Sequence, residues 1–239
     1  MKIDIMAFGP HPDDAELGCG GLLLKLKNSG YSTSIVDLTE GELSTNGDTE
    51  IRKKESGKAT KILMLDFRLN LGLGDCRITN SHENRLKVIN IIRQHRPGLV
   101  LIPYSKDRHP DHENSHKLLK DACYISGLEK FESGNSPYRP PAILCYMLNY
   151  QFKPSFIVDI SAHYAKKMDA CMAYKSQFYG TGQNVKSTYI NSKYFREMIT
   201  TRDKCYGLKI RADYGEPFFI EDDLRIEDPL SFFDYLSIK

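Results

Sequence analysis

Two short stretches hold the chain's densest ligand chemistry. Pro10-His11-Pro12-Asp13-Asp14 and Arg108-His109-Pro110-Asp111-His112 each set imidazole beside carboxylate around a proline. Zinc takes nitrogen and oxygen donors of this kind, and a catalytic zinc uses about three protein ligands while keeping one position open for water. His11 and Asp14 share one loop and helix start, so both can turn to a single ion, with His112 as third donor from the second stretch. Asp13 is then left beside the water, whose pKa zinc lowers to about 7. A carboxylate in that place can take the water's proton as general base. His109 can give a proton to a leaving amine or stabilise an oxyanion, and Asp111 can hold the His109 ring in one tautomer.

Two rival readings use overlapping residues. His112-Glu113-Asn114-Ser115-His116 formally matches H-E-x-x-H, the zincin protease motif, with Glu129 or Glu132 as a third ligand. It leaves the His11 and Asp14 group unexplained. The other is a non-enzymatic Rossmann-like binding module. Gly9, Gly18, Gly20 and Gly21 do not form G-x-G-x-x-G, and no P-loop lysine follows them. No G-x-S-x-G elbow supports a serine hydrolase.

For the two stretches to meet, both must lie on one edge of a sheet. Residues 3–9 read as a buried strand ending at Gly9-Pro10, and 14–28 as a helix stopped by Asn28-Ser29-Gly30. Residues 34–39 read as a second strand, 40–48 as a loop and 50–64 as an amphipathic helix. A third strand over 67–73, a helix over 83–96, the apolar run Leu99–Pro103 and a helix over 112–125 repeat the pattern. Alternation of this kind predicts parallel βαβ units with right-handed crossovers, which build sites at the carboxyl ends of their strands. Beyond Tyr124 the signal weakens to strands over 142–148 and 156–160 and helices over 163–177 and 192–206. His82, His95 and His163 read as solvent-facing and His116 as an ordinary helical residue. The fold expected is α/β, Rossmann-like, with a mostly parallel sheet flanked by helices and a C-terminal elaboration, as a single domain over 1–239.

Composition narrows the function classes. The 239 residues include 33 Lys and Arg against 31 Asp and Glu, a net charge of +2. That balance argues against a dedicated nucleic-acid binder. The start of the chain breaks its apolar run at Asp4, unlike a signal peptide, and no run of about 18 apolar residues predicts a membrane span. The six cysteines are scattered without a C-x-x-C pair, which reads as reduced thiols. A cytoplasmic protein is expected.

The segment His11-Pro12-Asp13-Asp14-Ala15-Glu16-Leu17-Gly18, together with His109-Pro110-Asp111-His112, resembles the LmbE/PIG-L family of zinc N-deacetylases. Leu38-Thr39-Glu40-Gly41-Glu42-Leu43-Ser44 followed by Glu50-Ile51-Arg52 resembles the family's second block. Tyr174-Lys175-Ser176-Gln177 and Tyr214-Gly215-Glu216-Pro217-Phe218 are similar to the branch that makes bacillithiol. Pro10 and Glu40 depart from the usual pattern, which has a small residue and often Arg. The resemblance implies one Zn2+ per chain, other divalent metals being possible, and removal of acetyl from an N-acetylglucosamine conjugate. In the bacillithiol branch that conjugate is N-acetylglucosaminyl malate. The resemblance further implies Arg52 and Arg139 as substrate contacts, Tyr194 as an oxyanion donor, and Glu42 as either a loop brace or a sugar contact. Related enzymes form trimers or hexamers, so a homo-oligomer is a possible assembly.

Overall fold

The computed structural model describes residues 1–180 and 185–232, with 231 and 232 described by backbone alone. The βα alternation is built as β1 (Ile5–Gly9), α1 (Asp14–Asn28), β2 (Thr33–Asp37), α2 (Thr49–Ile62), β3 (Phe67–Asn70), α3 (His82–His95), β4 (Leu99–Pro103) and α4 (Pro110–Ile125). There follow β5 (Ala142–Tyr146), β6 (Phe156–Asp159), α5 (Tyr164–Met172), α6 (Lys175–Phe178), α7 (Lys193–Lys209), β7 (Gly215–Phe219) and α8 (Pro229–Phe232). All seven strands join one sheet in the order β3-β2-β1-β4-β5-β7-β6. The first five in that order run parallel, and β7 alone is reversed between β5 and β6. The expected Rossmann-like, mostly parallel sheet is what the chain forms.

Strand β1 lies inside that sheet, between β2 and β4, and alternate side chains serve opposite layers, as the period of a strand requires. Ile5 and Ala7 enter the apolar cluster with α1, α5 and α7, while Met6 and Phe8 enter the one with α3 and α4. Burial on both faces explains the unbroken apolar run.

Helix α1 carries the first ligand stretch, and its placement depends on elements distant in sequence. It breaks at Cys19, which has φ −146° and ψ 15°. The break frees amide groups, and the Glu216 carboxylate on β7 accepts from Gly21 N at 2.8 Å and Leu22 N at 2.7 Å. Glu216 is fully buried and paired with Lys167 Nζ at 2.9 Å, which also binds Asp203 at 2.6 Å. Burial disfavours the Lys167 charge, yet the two carboxylates hold its pKa above the ordinary value. Gly18 is needed for a different reason. A Cβ there would meet Tyr146 Cδ2 at 2.1 Å, and Tyr146 donates its hydroxyl to Phe8 O at 2.7 Å across the first strand.

The structure departs from sequence expectation in four places. Strand β7 is formed around Pro217, opposite Ile157, where a proline speaks against an internal strand. The helix expected over 163–177 is two helices, with Ala173 and Tyr174 between them, and Tyr174 buried against α1. Helix α4 starts at Pro110, because proline at the first helical position costs no hydrogen bond. His95 is buried rather than solvent-facing, stacked on Phe67 at 4.5 Å with Nδ1 3.0 Å from Met1 O. Among the described residues, no helix is long and apolar enough to cross a membrane. Four of the six free cysteines are buried, and Cys76 and Cys205 are exposed.

Candidate active site

The two ligand stretches meet because β1 and β4 are parallel neighbours, so the loops that leave them share one sheet edge. His11 Nδ1 lies 3.0 Å from Asp14 Oδ2, and His112 Nε2 lies 3.3 Å from the same oxygen. Zinc at about 2.0–2.1 Å from three tetrahedral donors would space them by roughly 3.3 Å, so both carboxylate-to-imidazole spacings suit a divalent ion, and all three donors lie within 4.8 Å of one another. Carboxylates behind the rings orient them. His11 Nε2 is 3.2 Å from both Asp75 Oδ1 and Asp111 Oδ2, and His112 Nδ1 is 2.9 Å from Asp107 Oδ1. A carboxylate behind each metal-facing imidazole fixes its tautomer and strengthens it as a donor.

Two other groups have donors at comparable separations: His11, His109 and Asp111, and Asp75, Cys76 and Asp111. Their carboxylates are already engaged. Asp111 Oδ2 accepts from Cys76 N at 2.7 Å, and Asp75 Oδ2 accepts from Leu43 N at 3.0 Å. Asp14 Oδ2 also accepts a backbone N–H, from His11 at 2.9 Å, but it lies within 3.3 Å of two different imidazoles, which makes the His11, Asp14 and His112 group the better metal cradle.

The surrounding carboxylates favour positive charge at both imidazoles. Burial works against a charged His11, but Asp111, Asp14 and Asp75 together raise its pKa well above the ordinary value. Burial likewise opposes the His112 charge, while Asp14 and Asp107 lift its pKa to about 9. A divalent ion held there would compete with protons for the same imidazole nitrogens, so its affinity should fall at low pH.

Asp13 stands apart from this pairing. Its backbone has φ 129°, and its carboxylate makes no cap to α1. A non-glycine residue at such φ is strained and needs surrounding contacts to hold it. Arg52 supplies them: Nε donates to Pro12 O at 3.2 Å, and Nη2 reaches Asp13 Oδ2 at 3.0 Å. Oδ1 of Asp13 has no such partner among the described residues. Burial pushes the Asp13 pKa up to about 7, with Asp14 adding to the rise and Arg52 opposing it.

His109 caps α4 and accepts the Asp111 backbone N–H on Nδ1 at 3.2 Å. Its neutral ring therefore carries the proton on Nε2. The tautomer is set by the Asp111 backbone, and the Asp111 carboxylate serves His11 and Cys76 instead. Burial lowers the His109 pKa, and the neighbouring His11 and His112 lower it further. Its ring lies edge-on to His11 at 4.7 Å and stacks on His112 at 4.9 Å.

The residues expected to touch substrate are placed in different surroundings. Arg52 is buried at the cavity wall but already engaged by Pro12, Asp13 and Ser44. Arg139 lies near the far end of α4, bonded to Tyr124 O at 3.0 Å with its guanidinium over the Tyr124 ring. That helix has 16 residues, about 24 Å at the usual rise, so Arg139 does not reach this cavity. Tyr194 is 78% exposed and outside the cavity wall, where Tyr189 and Phe195 stand instead. Glu42 accepts from Asp75 N at 2.7 Å, so it braces a loop. His116 turns Nδ1 to Pro103 O at 3.0 Å, and Glu113 accepts from Asp107 N. His112 and His116 therefore do not form the zincin pair.

Sequence reasoning missed Asp75 and Asp107. Asp107 lies two residues before His109, close enough to have been suspected. Asp75 comes from a loop with no periodic signal. The cavity these residues enclose is about 270 Å³, acidic at one end and apolar along Leu17, Leu148, Ile190, Phe195, Met198 and Ile199.

Known proteins share this arrangement of chain. The family model of PIG-L, GlcNAc-PI de-N-acetylase, matches residues 6–123. The diacetylchitobiose deacetylase of Thermococcus kodakarensis is 32% identical over 190 residues, covering 73% of this chain and 70% of its own. Among solved structures, the conserved protein TT1542 of Thermus thermophilus superposes with a TM-score of 0.86 at 38% identity, over 94% of this chain and 98% of its own. The N,N'-diacetylchitobiose deacetylase of Pyrococcus horikoshii, solved with an inhibitor, gives 0.79 at 28% identity, over 91% and 83%.

Proposed function

Because this chain belongs to the PIG-L family, that of GlcNAc-PI de-N-acetylase, we propose that it is a metal-dependent hydrolase that removes the N-acetyl group from an N-acetylglucosamine conjugate. The observation that carries the reading is the set His11 Nδ1, Asp14 Oδ2 and His112 Nε2 gathered beside the uncapped Asp13 carboxylate. Two imidazoles and one carboxylate suit zinc, one ion per chain, and other divalent metals accept the same donors. Bound there, the ion would supply Lewis-acid polarisation of the acetyl carbonyl and lower the pKa of the attacking water.

The chain's own residues do the rest. Asp13 takes the proton of the attacking water on Oδ1, while Arg52 holds Oδ2. His109, neutral and protonated on Nε2, donates a hydrogen bond to the oxyanion that forms when the acetyl carbon becomes tetrahedral. The C–N bond then breaks, and Asp13 returns its proton to the departing amine nitrogen. The products are acetate and the free amino sugar. One carboxylate acts as base and then acid, which the low His109 pKa favours over protonation by the imidazole.

The narrower substrate, N-acetylglucosaminyl malate on the route to bacillithiol, is supported by the Tyr174–Gln177 and Tyr214–Phe218 resemblance. Those residues act here as braces: Tyr174 bonds Glu16, Ser176 bonds Glu55 and Gln177 bonds Asn46 O. The test is acetate release from a panel of N-acetylglucosaminyl conjugates, the malate conjugate included, with and without chelator. Release from any of them that a chelator abolishes supports the proposal, and the rank order names the aglycone. No release from the metal-loaded protein on any conjugate would overturn it.

Arg52 gives a pH prediction. Asp13 must be ionised to act as base, so activity is present above its pKa and lost as pH falls through it. Arg52 depresses that pKa. Arg52→Met is expected to move the acid limb of kcat/KM to higher pH, and Arg52→Lys to move it less. An acid limb that stays in place in both variants would assign it to a group other than Asp13.

A further inference from the structure

Three arginines line the cavity, and two of them are fully engaged by the protein. Arg52 is held as described above. Arg202 gives Nε to Asp203, Nη1 to the carbonyls of Met147 and Leu148, and Nη2 to Leu17 O. Both are buried. Arg108 is different. Its side chain is exposed at the cavity mouth, and no carboxylate or carbonyl among the described residues accepts from its guanidinium. It is nevertheless aimed. Its guanidinium lies over the Tyr189 ring, 4.7 Å from the centroid. Its backbone is set between Asp107, tied to His112 and Asn149, and His109, the cap of α4.

A guanidinium stacked on an aromatic face keeps its N–H edge free, and that edge matches a carboxylate or phosphate in paired charged hydrogen bonds. Stacking also removes side-chain freedom that an unsupported arginine would lose only on binding. The inner cavity is unsuited to a free anionic substituent away from the ion, since Asp13, Asp14 and Asp75 all face it. The acidic interior and the cationic mouth therefore divide one substrate into a neutral reacting end and an anionic far end.

We propose that Arg108, steadied by Tyr189, anchors a carboxylate or phosphate on the aglycone of the substrate at the cavity mouth. This rests on the deacetylase reading for what fills the inner cavity. The position implied by resemblance for such a contact, Arg139, lies at the other end of α4, and Arg52 has no free edge to offer.

The experiment uses metal-loaded protein and three N-acetylglucosamine glycosides: the neutral methyl glycoside, the carboxymethyl glycoside and the 1-phosphate. Wild type is expected to favour one or both anionic compounds over the methyl glycoside by about ten- to a hundredfold in kcat/KM. Arg108→Ala is expected to collapse that ratio, and Arg108→Lys to keep part of it. A second arm titrates the matching deacetylated glucosamine compounds into both proteins by calorimetry. The anionic ones should bind wild type more tightly than Arg108→Ala by a similar factor, and raised salt should narrow the gap. Whichever anion gains most identifies carboxylate or phosphate. Equal loss on neutral and anionic compounds, or no anionic preference in wild type, would overturn the proposal. If no acetate is released from any compound, the deacetylase reading fails, and the calorimetric difference alone decides for or against Arg108.

Discussion

Asp13→Asn is expected to lower kcat by about 10² to 10⁴, the usual scale for loss of a general base, while leaving the metal content of the protein unchanged. The expectation comes from the separation of the two aspartates. Asp14 places one oxygen within 3.3 Å of both imidazole donors, whereas Asp13 makes its ion pair with Arg52. Asparagine keeps the size of the side chain and an oxygen for Arg52, so the contact that steadies this backbone is kept. The strained backbone at φ 129° is therefore retained, and the variant tests proton transfer rather than folding. Metal analysis and acetate release on one preparation check the result. Loss of metal from Asp13→Asn with metal kept in Asp14→Asn would exchange the two roles.

Replacing a ligand should act in the opposite way. His112→Ala or Asp14→Ala is expected to leave the purified protein with little metal and no measurable turnover, because two remaining donors do not make a zinc site. Asp107→Ala is the graded case. Its carboxylate touches the back of the His112 ring at 2.9 Å, and loss of such a partner weakens metal affinity by about ten- to a hundredfold. Asp107→Ala should thus regain activity when excess metal is added, and His112→Ala should not. Competition with a chromogenic chelator measures the three affinities. Wild-type affinity in His112→Ala would remove that residue from the metal site.

The central half of the fold and the ligand group were legible because their signals are local. Apolar runs closed by Gly9-Pro10 and by Pro103 mark strand ends, and the His-Pro-Asp segments follow directly on the same sheet edge. What escaped depended on long-range packing. Asp75 reaches His11 from a loop in which Gly72, Gly74 and Cys76 all take positive φ, and such a path leaves no periodic trace. Strand β7 hides behind Pro217, because only pairing with β6 shows that its missing N–H is tolerated. Arg139 fails as a substrate contact for a topological reason: α4 starts at the site and leads away from it, so the loop that follows lies at the opposite edge. Tyr194 stands exposed in the first turn of α7, outside the cavity wall, while Phe195, Met198 and Ile199 of the same helix line it.

The central claim, hydrolysis of the N-acetyl amide at one metal held by His11, Asp14 and His112, is tested most directly by restoring metal to the chelated protein in measured portions. Acetate release from the best conjugate should rise linearly and stop rising at about one zinc per chain, and His112→Ala given the same additions should stay inactive. Full release from the metal-stripped wild type, or equal restoration of His112→Ala, would contradict the account.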